Sequence, residues 1–522
     1  MRKQKNQNLL EKPEKTKKNK SPKKGLVLLC IIGFLYVLSY VIYIVGNWTK
    51  ITFKVGIESI LFTITNPTKG ANSDLLKSAL LYCIPRILIV VAIVVFFIVL
   101  AVKNKEKYNA HIKFKKIKFS FNLNKFTKIL ACLMSIICLC FSLLKIDRDF
   151  KVSNYIKARK QVSTIYEDYY VDPFAANINI AKNERKNIIQ IYVESMESTY
   201  FSTDDGGKQN KDYIPNLKQY ALENISFSNS EKLGGFRNTT GTTWTMGALM
   251  ALTSGVPYAF PIDSNNMGNH SSFAKNLVTM GDVLEKNGYR QYFQCGSDGD
   301  FAGRSDYFKQ HGNYEILDLQ YAKDKGYIPK DYFVWWGYED YKLFDIAKKE
   351  LTQINILGEP FNYSLLTVDT HFPEGYMCDH CERNYPSPVE NVLDCVDKQI
   401  FEFVEWCKQQ PFYDNTIIVI VGDHQRMDSW LMDGVAESER MIYNCIINCD
   451  KTSELGFKNR TITTMDMFPT IMAAMGFNWT GDRLGLGTNL FSSTKTLAEI
   501  MTFDTLNAEL VKTSNFYEEN FY

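Results

Sequence analysis

The sequence predicts an α/β domain with a mainly parallel sheet covered by helices on both faces, preceded by transmembrane helices. Three observations carry this prediction. Long apolar stretches fall in the first third of the 522 residues, with lysine-rich segments beside them. Beyond them, short β-branched runs alternate with helical segments, the pattern of strands buried on both faces of a parallel sheet. Acidic, histidine and threonine residues follow those runs, and ligands gather beyond the carboxyl ends of such strands.

The first apolar stretch, residues 25–48, has no charge and is long enough to cross a hydrocarbon layer of about 30 Å at about 1.5 Å per residue. It lacks the short core and small-residue cleavage site of a signal peptide. The second, 78–102, contains one charge, Arg86, about 24 Å from its inner end and so able to snorkel to the outer surface. The third, 129–144, is short but is bounded by Lys128 and Lys145, which reach the headgroups.

Residues 1–24 carry ten Lys/Arg against Glu11 and Glu14, and residues 103–128 carry nine Lys against Glu106. With both segments inside, three spans satisfy the positive-inside rule, giving a multi-pass cell-membrane protein with everything after Leu144 extracytoplasmic. The stretch 51–65, with Lys54 and Glu58, is expected to lie along the outer membrane face. The whole chain balances 60 basic against 57 acidic residues, so no global field points to nucleic acid.

Residues 146–186 are polar with scattered tyrosines and are expected to form a largely helical connector. The domain proper is expected over 187–495. Its strands are read at 187–193, 362–368, 415–421 and 441–447, and its helices include 271–287 and 390–410. Residues 496–522 are expected to be a tail without chemistry. Five of the twelve cysteines lie in the apolar spans; the other seven are an odd number, so complete pairing within the domain is impossible. Cys378-Asp-His-Cys381 has no second CxxC at finger-like spacing and is read as a disulfide or a pair of free thiols rather than a zinc site.

The run 187–193 ends in Glu194-Ser-Met-Glu197, and 415–421 ends in Gly422-Asp423-His424. Two carboxylates and an imidazole at strand ends suit a divalent metal, although a strand-end acid also serves as a helix cap. Between them, GGFRNTTGTTWTMGALMALTSGVP (234–257) is a Gly/Thr-rich loop leading into an apolar helix. Its five threonines (239, 240, 242, 243 and 245) exceed what one cap needs, and a hydroxyl there would face metal and phosphate beside the positive end of the helix.

Five segments in this order, IYVESMESTYF (191–201), GTTWTMGALMALTSGVP (241–257), FAGRSDYFKQHG (301–312), VDTHFP (368–373) and VGDHQ (421–425), resemble the bacterial phosphoglycerol transferases of osmoregulated glucans and the related lipoteichoic acid synthases. The resemblance covers about residues 150–490 and implies a sulfatase/alkaline-phosphatase-like domain. It implies that Glu194, Thr242, Asp423 and His424 surround one divalent metal, with Thr242 as nucleophile and Thr243 and Thr240 as fallbacks. Mn²⁺ or Mg²⁺ suits that donor set, and Zn²⁺ also fits. Arg304 would grip a phosphate oxygen, and His371 would handle protons on the substrate side. Ala302 stands where the lipoteichoic synthases have a Trp, and the nearby Asp298 is read as a substrate contact.

The implied reaction is transfer of phosphoglycerol from phosphatidylglycerol to a cell-surface or periplasmic glycan through a phospho-threonine, releasing diacylglycerol. Phosphoethanolamine transfer on the same core, or a non-catalytic glycan-binding scaffold, are the competing readings. Arylsulfatase chemistry is disfavoured, because Cys83-Ile-Pro-Arg86, the nearest text to a formylglycine motif, lacks its spacing and lies in an apolar span.

Overall fold

The computed structural model describes residues 22–53, 57, 60–61, 73–103, 109–114, 117–259, 274–428 and 431–521. They fall into two compact units, Met1–Trp48 with Ser78–Asp147, and Thr49–Lys77 with Arg148–Tyr522.

The first unit is built on helices α1 (Pro22–Thr52), α2 (Ser73–Lys103) and α3 (Leu123–Phe150), with the hairpin β1 (Asn109–Phe114) and β2 (Ile117–Asn122) between the last two. Within these helices Gly25–Thr52, Leu76–Lys103 and Lys125–Phe150 are long and apolar enough to cross a membrane. Each exceeds its expected span, because hydropathy marks only the apolar stretch while the helix runs on through polar residues at its ends. Arg86 folds back on its own helix: Nη1 donates to the Tyr82 carbonyl at 2.7 Å and the guanidinium lies 4.1 Å from the Tyr82 ring centre. The stretch 51–65 is largely outside the described residues.

The second unit is organised by a six-stranded sheet of β3 (Asn187–Val193), β4 (Arg290–Cys295), β5 (Glu315–Leu317), β6 (Phe361–Leu366), β7 (Thr416–Gly422) and β8 (Asn444–Ile447). Their order is β5–β4–β6–β3–β7–β8, parallel throughout except for the antiparallel edge pair β7–β8. β3 and β7 are buried along their whole lengths, and their side chains alternate between two cores. Ile188, Tyr192, Ile417, Val419 and Val421 enter one; Ile189, Ile191, Val193, Ile418 and Ile420 enter the other. That period of two is what a strand covered on both faces requires.

Helices α4 (Thr245–Ser254), α5 (Arg304–Gln310) and, later in the chain, Met467–Ala474 serve the first core. α6 (Asp340–Ile356) and α7 (Pro388–Lys408) serve the second. α7 begins after Ser387, whose N–H donates to Glu390 Oε2 at 3.2 Å, with Pro388 in the first turn, a residue pre-organised for a helix start. Of the helix expected over 271–287, residues 274–279 are not helical and the helix runs from Met280 to Lys286; its Thr279–Asp282 capping box sets the start.

β4 and β5 were not anticipated. Gln291 and Gln294 make β4 look too polar for a buried strand, yet both amides are satisfied internally, Gln291 by the Gly281 and Gly312 carbonyls and Gln294 by the Leu343 carbonyl. The expected connector takes in the end of α3 and then holds only short helices, Val152–Ala158 and Ile165–Tyr169, with Ile165 and Tyr166 buried in the domain core. The tail is helical at Phe503–Val511 and Asn515–Phe521 and buries Leu506, Leu510, Tyr517 and Phe521. It also touches the threonine loop, where Asn507 Oδ1 accepts from the Thr240 N–H at 2.6 Å.

Candidate active site

The register pairs Val193 with Gly422 and Tyr192 with Leu366, so β3, β7 and β6 end side by side and release Glu194, Asp423 and Thr367 at one edge. Gly422 is required there, since a Cβ would lie 2.0 Å from the Met196 carbonyl oxygen. Glu194 is tied to the neighbouring strand through its N–H, which donates to Thr367 Oγ1 at 3.0 Å, and through its carbonyl, which accepts from Thr370 Oγ1. Ser195 turns the chain at a positive φ of 53°, a strained position for a non-glycine residue. Its N–H donates to Asp423 Oδ1 at 2.8 Å and its hydroxyl to Glu194 Oε1 at 2.6 Å.

Glu194, Asp423 and His424 are all buried, and each offers a ligand atom within 4.8 Å of the others. His424 Nε2 lies 3.5 Å from Glu194 Oε1 and 3.4 Å from Asp423 Oδ2. Its Nδ1 faces the Gln425 carbonyl at 2.8 Å, which leaves Nε2 for a ligand. Asp423 Oδ2 is buried without a hydrogen-bond partner. An orphaned carboxylate oxygen beside a second carboxylate and an imidazole nitrogen is the donor set of a divalent cation, so the residues fit the expected metal.

Burial pushes the Asp423 carboxyl up to about 7, and the Glu194 charge adds to the rise. For Glu194 burial also pushes up, but the His424 and His371 charges and the Ser195 and Thr245 hydroxyls outweigh it and the net shift is down. Burial pulls His424 down; the Asp423 and Glu194 charges more than reverse it.

In the threonine loop, Thr242 and Thr245 are placed differently. Thr242 is fully buried and turned inward: Oγ1 accepts from the Thr239 N–H at 2.9 Å and from Thr464 Oγ1 at 3.3 Å, and donates to the Thr239 carbonyl at 3.0 Å. It braces the turn that Gly241 makes at φ 74°, where a Cβ would meet the Tyr258 carbonyl oxygen at 2.4 Å. The hydroxyl that reaches the cluster belongs to Thr245, which contacts Glu194 Oε2 at 3.2 Å and His424 Nε2 at 3.3 Å. Thr245 is the first residue of α4, where the positive helix end and free N–H groups meet an incoming anion.

His371 lies in the loop after β6. Its Nδ1 faces the Phe372 carbonyl at 2.8 Å, and its ring packs 4.8 Å from both Trp336 and Phe372. Burial pulls its pKa down, only partly opposed by the Glu194 charge. Arg304 is buried at the start of α5. Nε and Nη2 are spent on the Phe301 carbonyl, Ser297 Oγ and the Asp298 carbonyl at 2.8–3.0 Å, so most of the guanidinium holds its own loop. Asp298 Oδ1 accepts from the Asp300 N–H at 2.9 Å, a turn contact.

Two features escaped the sequence reading. Trp336 stands between Phe301, at 5.4 Å, and His371, supplying an aromatic wall beside Ala302 from a different part of the chain. Glu197 carries no ligand role here: it forms a buried ion pair with Arg440 and accepts the Arg426 N–H at 2.9 Å. A strand-end carboxylate with a buried arginine partner is legible only once the arginine, 243 residues away, is placed.

A model of the Sulfatase family matches residues 186–477, which contain Glu194, the threonine loop, His371, Asp423 and His424. The chain belongs to the Sulfatase family. Within that family it is similar to Phosphoglycerol transferase I of Xanthomonas campestris pv. campestris (strain B100), 35% identical over 266 residues, covering 49% of this chain and 36% of the relative. It is also similar to Phosphoglycerol transferase I of Citrobacter koseri, 26% identical over 487 residues, covering 91% of this chain and 57% of the relative. The chain therefore spans roughly a third to just over half the length of these relatives. Among solved structures it is similar to the lipoteichoic acid synthase LtaP from Listeria monocytogenes, at 18% identity and a TM-score of 0.46, covering 61% of this chain and 80% of that one.

Proposed function

We propose that the chain transfers phosphoglycerol from phosphatidylglycerol to a cell-surface or periplasmic glycan, releasing diacylglycerol, with Thr245 rather than Thr242 as the nucleophile. The observation that carries this reading is the Thr245 hydroxyl within reach of both Glu194 Oε2 and His424 Nε2. The phosphoglycerol headgroup rests on the names of the relatives. The three apolar helices fit an enzyme held beside its lipid donor, with the domain extracytoplasmic.

Glu194, Asp423, His424 and Thr245 would hold one divalent cation, Mn²⁺ or Mg²⁺ by donor type and Zn²⁺ as the other fit; when bound it lowers the pKa of the hydroxyl and neutralises phosphate charge. Thr245 Oγ1 donates toward Glu194 Oε2, leaving a lone pair to attack phosphorus. As the Oγ1–phosphorus bond forms, the bond to the diacylglycerol oxygen breaks. The threonine proton passes to Glu194 and the leaving oxygen takes a proton from His371. A glycan hydroxyl then attacks the phospho-threonine, and both proton transfers run backward. Nη1 of Arg304, outside the loop bonds, is the group to contact a phosphate oxygen, and Trp336 with Phe301 walls the glycerol side.

The test is release of diacylglycerol from vesicles of phosphatidylglycerol, against vesicles of phosphatidylethanolamine. Diacylglycerol from the first alone supports the reading. Release from the second alone moves the headgroup to phosphoethanolamine, and none from either favours a non-catalytic scaffold.

A further inference from the structure

Cys378, Cys381 and Cys395 stand apart from the Glu194 cluster and share no residue with it. Cys378 Sγ lies 3.6 Å from Cys381 Sγ and 3.9 Å from Cys395 Sγ, and all three sulfurs lie within 4.8 Å of one another. Tetrahedral zinc, with bonds to sulfur of about 2.3 Å, holds its sulfurs about 3.8 Å apart. Cys378 and Cys381 are brought together by a tight turn in which the Cys381 N–H donates to the Cys378 carbonyl at 3.0 Å. Cys395 faces them from α7. With Cys378 central to two neighbours, a disulfide would use one and strand a third thiol in the same place.

Gln399 is a second, independent observation. One turn beyond Cys395 on α7 and only 7% exposed, it points its Nε2 at Cys395 Sγ (3.1 Å) and Cys378 Sγ (3.7 Å). Its Oε1 is buried without a partner. The amide forgoes an acceptor bond and spends its donors on sulfur, the arrangement that stabilises metal-bound thiolates. Cys378 and Cys395 are buried, whereas Cys381 is part exposed and gives the site an entry side and an open fourth position.

We propose that Cys378, Cys381 and Cys395 form a second metal centre, a three-thiolate site for a thiophilic divalent cation of the zinc type. This revises the expected disulfide or free thiol pair at Cys378 and Cys381. The site ties α7 to the loop after β6 that carries His371. That loop is already folded on itself through the Gly375 N–H to the His371 carbonyl (3.0 Å) and the Tyr376 N–H to the Asp369 carbonyl (2.7 Å), so a clamp at 378–381 restrains His371 from seven residues away.

The test is titration of the full chain, purified under reducing conditions in detergent, with Co²⁺ as probe and metal content by mass spectrometry. The expected result is a near-ultraviolet thiolate-to-cobalt charge-transfer band at one equivalent. The band should be absent in C378S and C395S and retained in Glu194→Gln, which separates this site from the active-site metal. Gln399→Ala keeps all three thiols and weakens binding about tenfold or more, covering the case in which a cysteine variant fails to fold. No band in the wild-type protein, a band surviving C378S and C395S, or a disulfide between any two of the three cysteines in a second preparation isolated without reductant would overturn the proposal.

Discussion

Replacing each of two threonines separately should affect stability and catalysis in opposite ways. Thr242→Ala removes three hydrogen bonds inside a buried turn and leaves the Thr239 N–H without its side-chain acceptor. At about 1 kcal/mol net per bond, and about 1–3 kcal/mol for a stranded donor, the loss of stability is about 2–4 kcal/mol. Thr245→Ala removes two long contacts, 3.2 and 3.3 Å, from a part-buried hydroxyl and costs under about 1 kcal/mol. Catalysis reverses the order: Thr245→Ala should abolish diacylglycerol release, while Thr242→Ala, assayed below its melting range, should keep turnover within about tenfold of the parent. The assay pairs thermal unfolding in detergent with diacylglycerol release. A stable but inactive Thr242→Ala, or an active Thr245→Ala, refutes the assignment.

Glu197→Ala leaves Arg440 buried and unpaired and should lower stability by about 3–5 kcal/mol, read as a drop in melting temperature; a loss below about 1 kcal/mol would contradict the buried pair. Metal affinity should rise as pH rises toward 7. The Asp423 carboxyl, raised to about 7, stays protonated below that value and its proton competes with the cation. Without metal the sign is opposite for this group: its raised pKa means stability falls from the ordinary aspartate range up to about pH 7, then levels off. Isothermal titration across pH 5–8 checks the first, and a flat profile contradicts it. His371→Gln should lower kcat by about 10²–10⁴ and remove the limb of the pH–rate profile that lies below the ordinary histidine value.

The central strands were legible because they are buried on both faces and so read as continuous β-branched runs: NIIQIYV and TIIVIVG differ from the expected strands by at most a residue. β4 was hidden by glutamines whose partners come from three other segments, which no local pattern contains. Glu194, Asp423 and His424 were readable as strand-end groups, and register alone brings them together.

Counting from a glycine points to Thr242, whereas the proposed nucleophile is Thr245. Gly241 marks the turn that Thr242 braces, whereas the part-buried hydroxyl that reaches Glu194 and His424 sits at the helix start, on Thr245. The local cue was the apolar run MGALMAL directly after Thr245, since the first residue of a buried helix is the one whose hydroxyl stands at its positive end. Trp336 and the third cysteine of the thiol cluster share a different cause: each meets its partners only through tertiary packing.

The most direct measurement is peptide mass spectrometry of the full chain after incubation with phosphatidylglycerol vesicles and no acceptor. The account predicts a glycerophosphoryl group on Thr245, lost in Thr245→Ala and kept in Thr242→Ala. The same adduct on Thr242, or none on any threonine while diacylglycerol is still released, would contradict it.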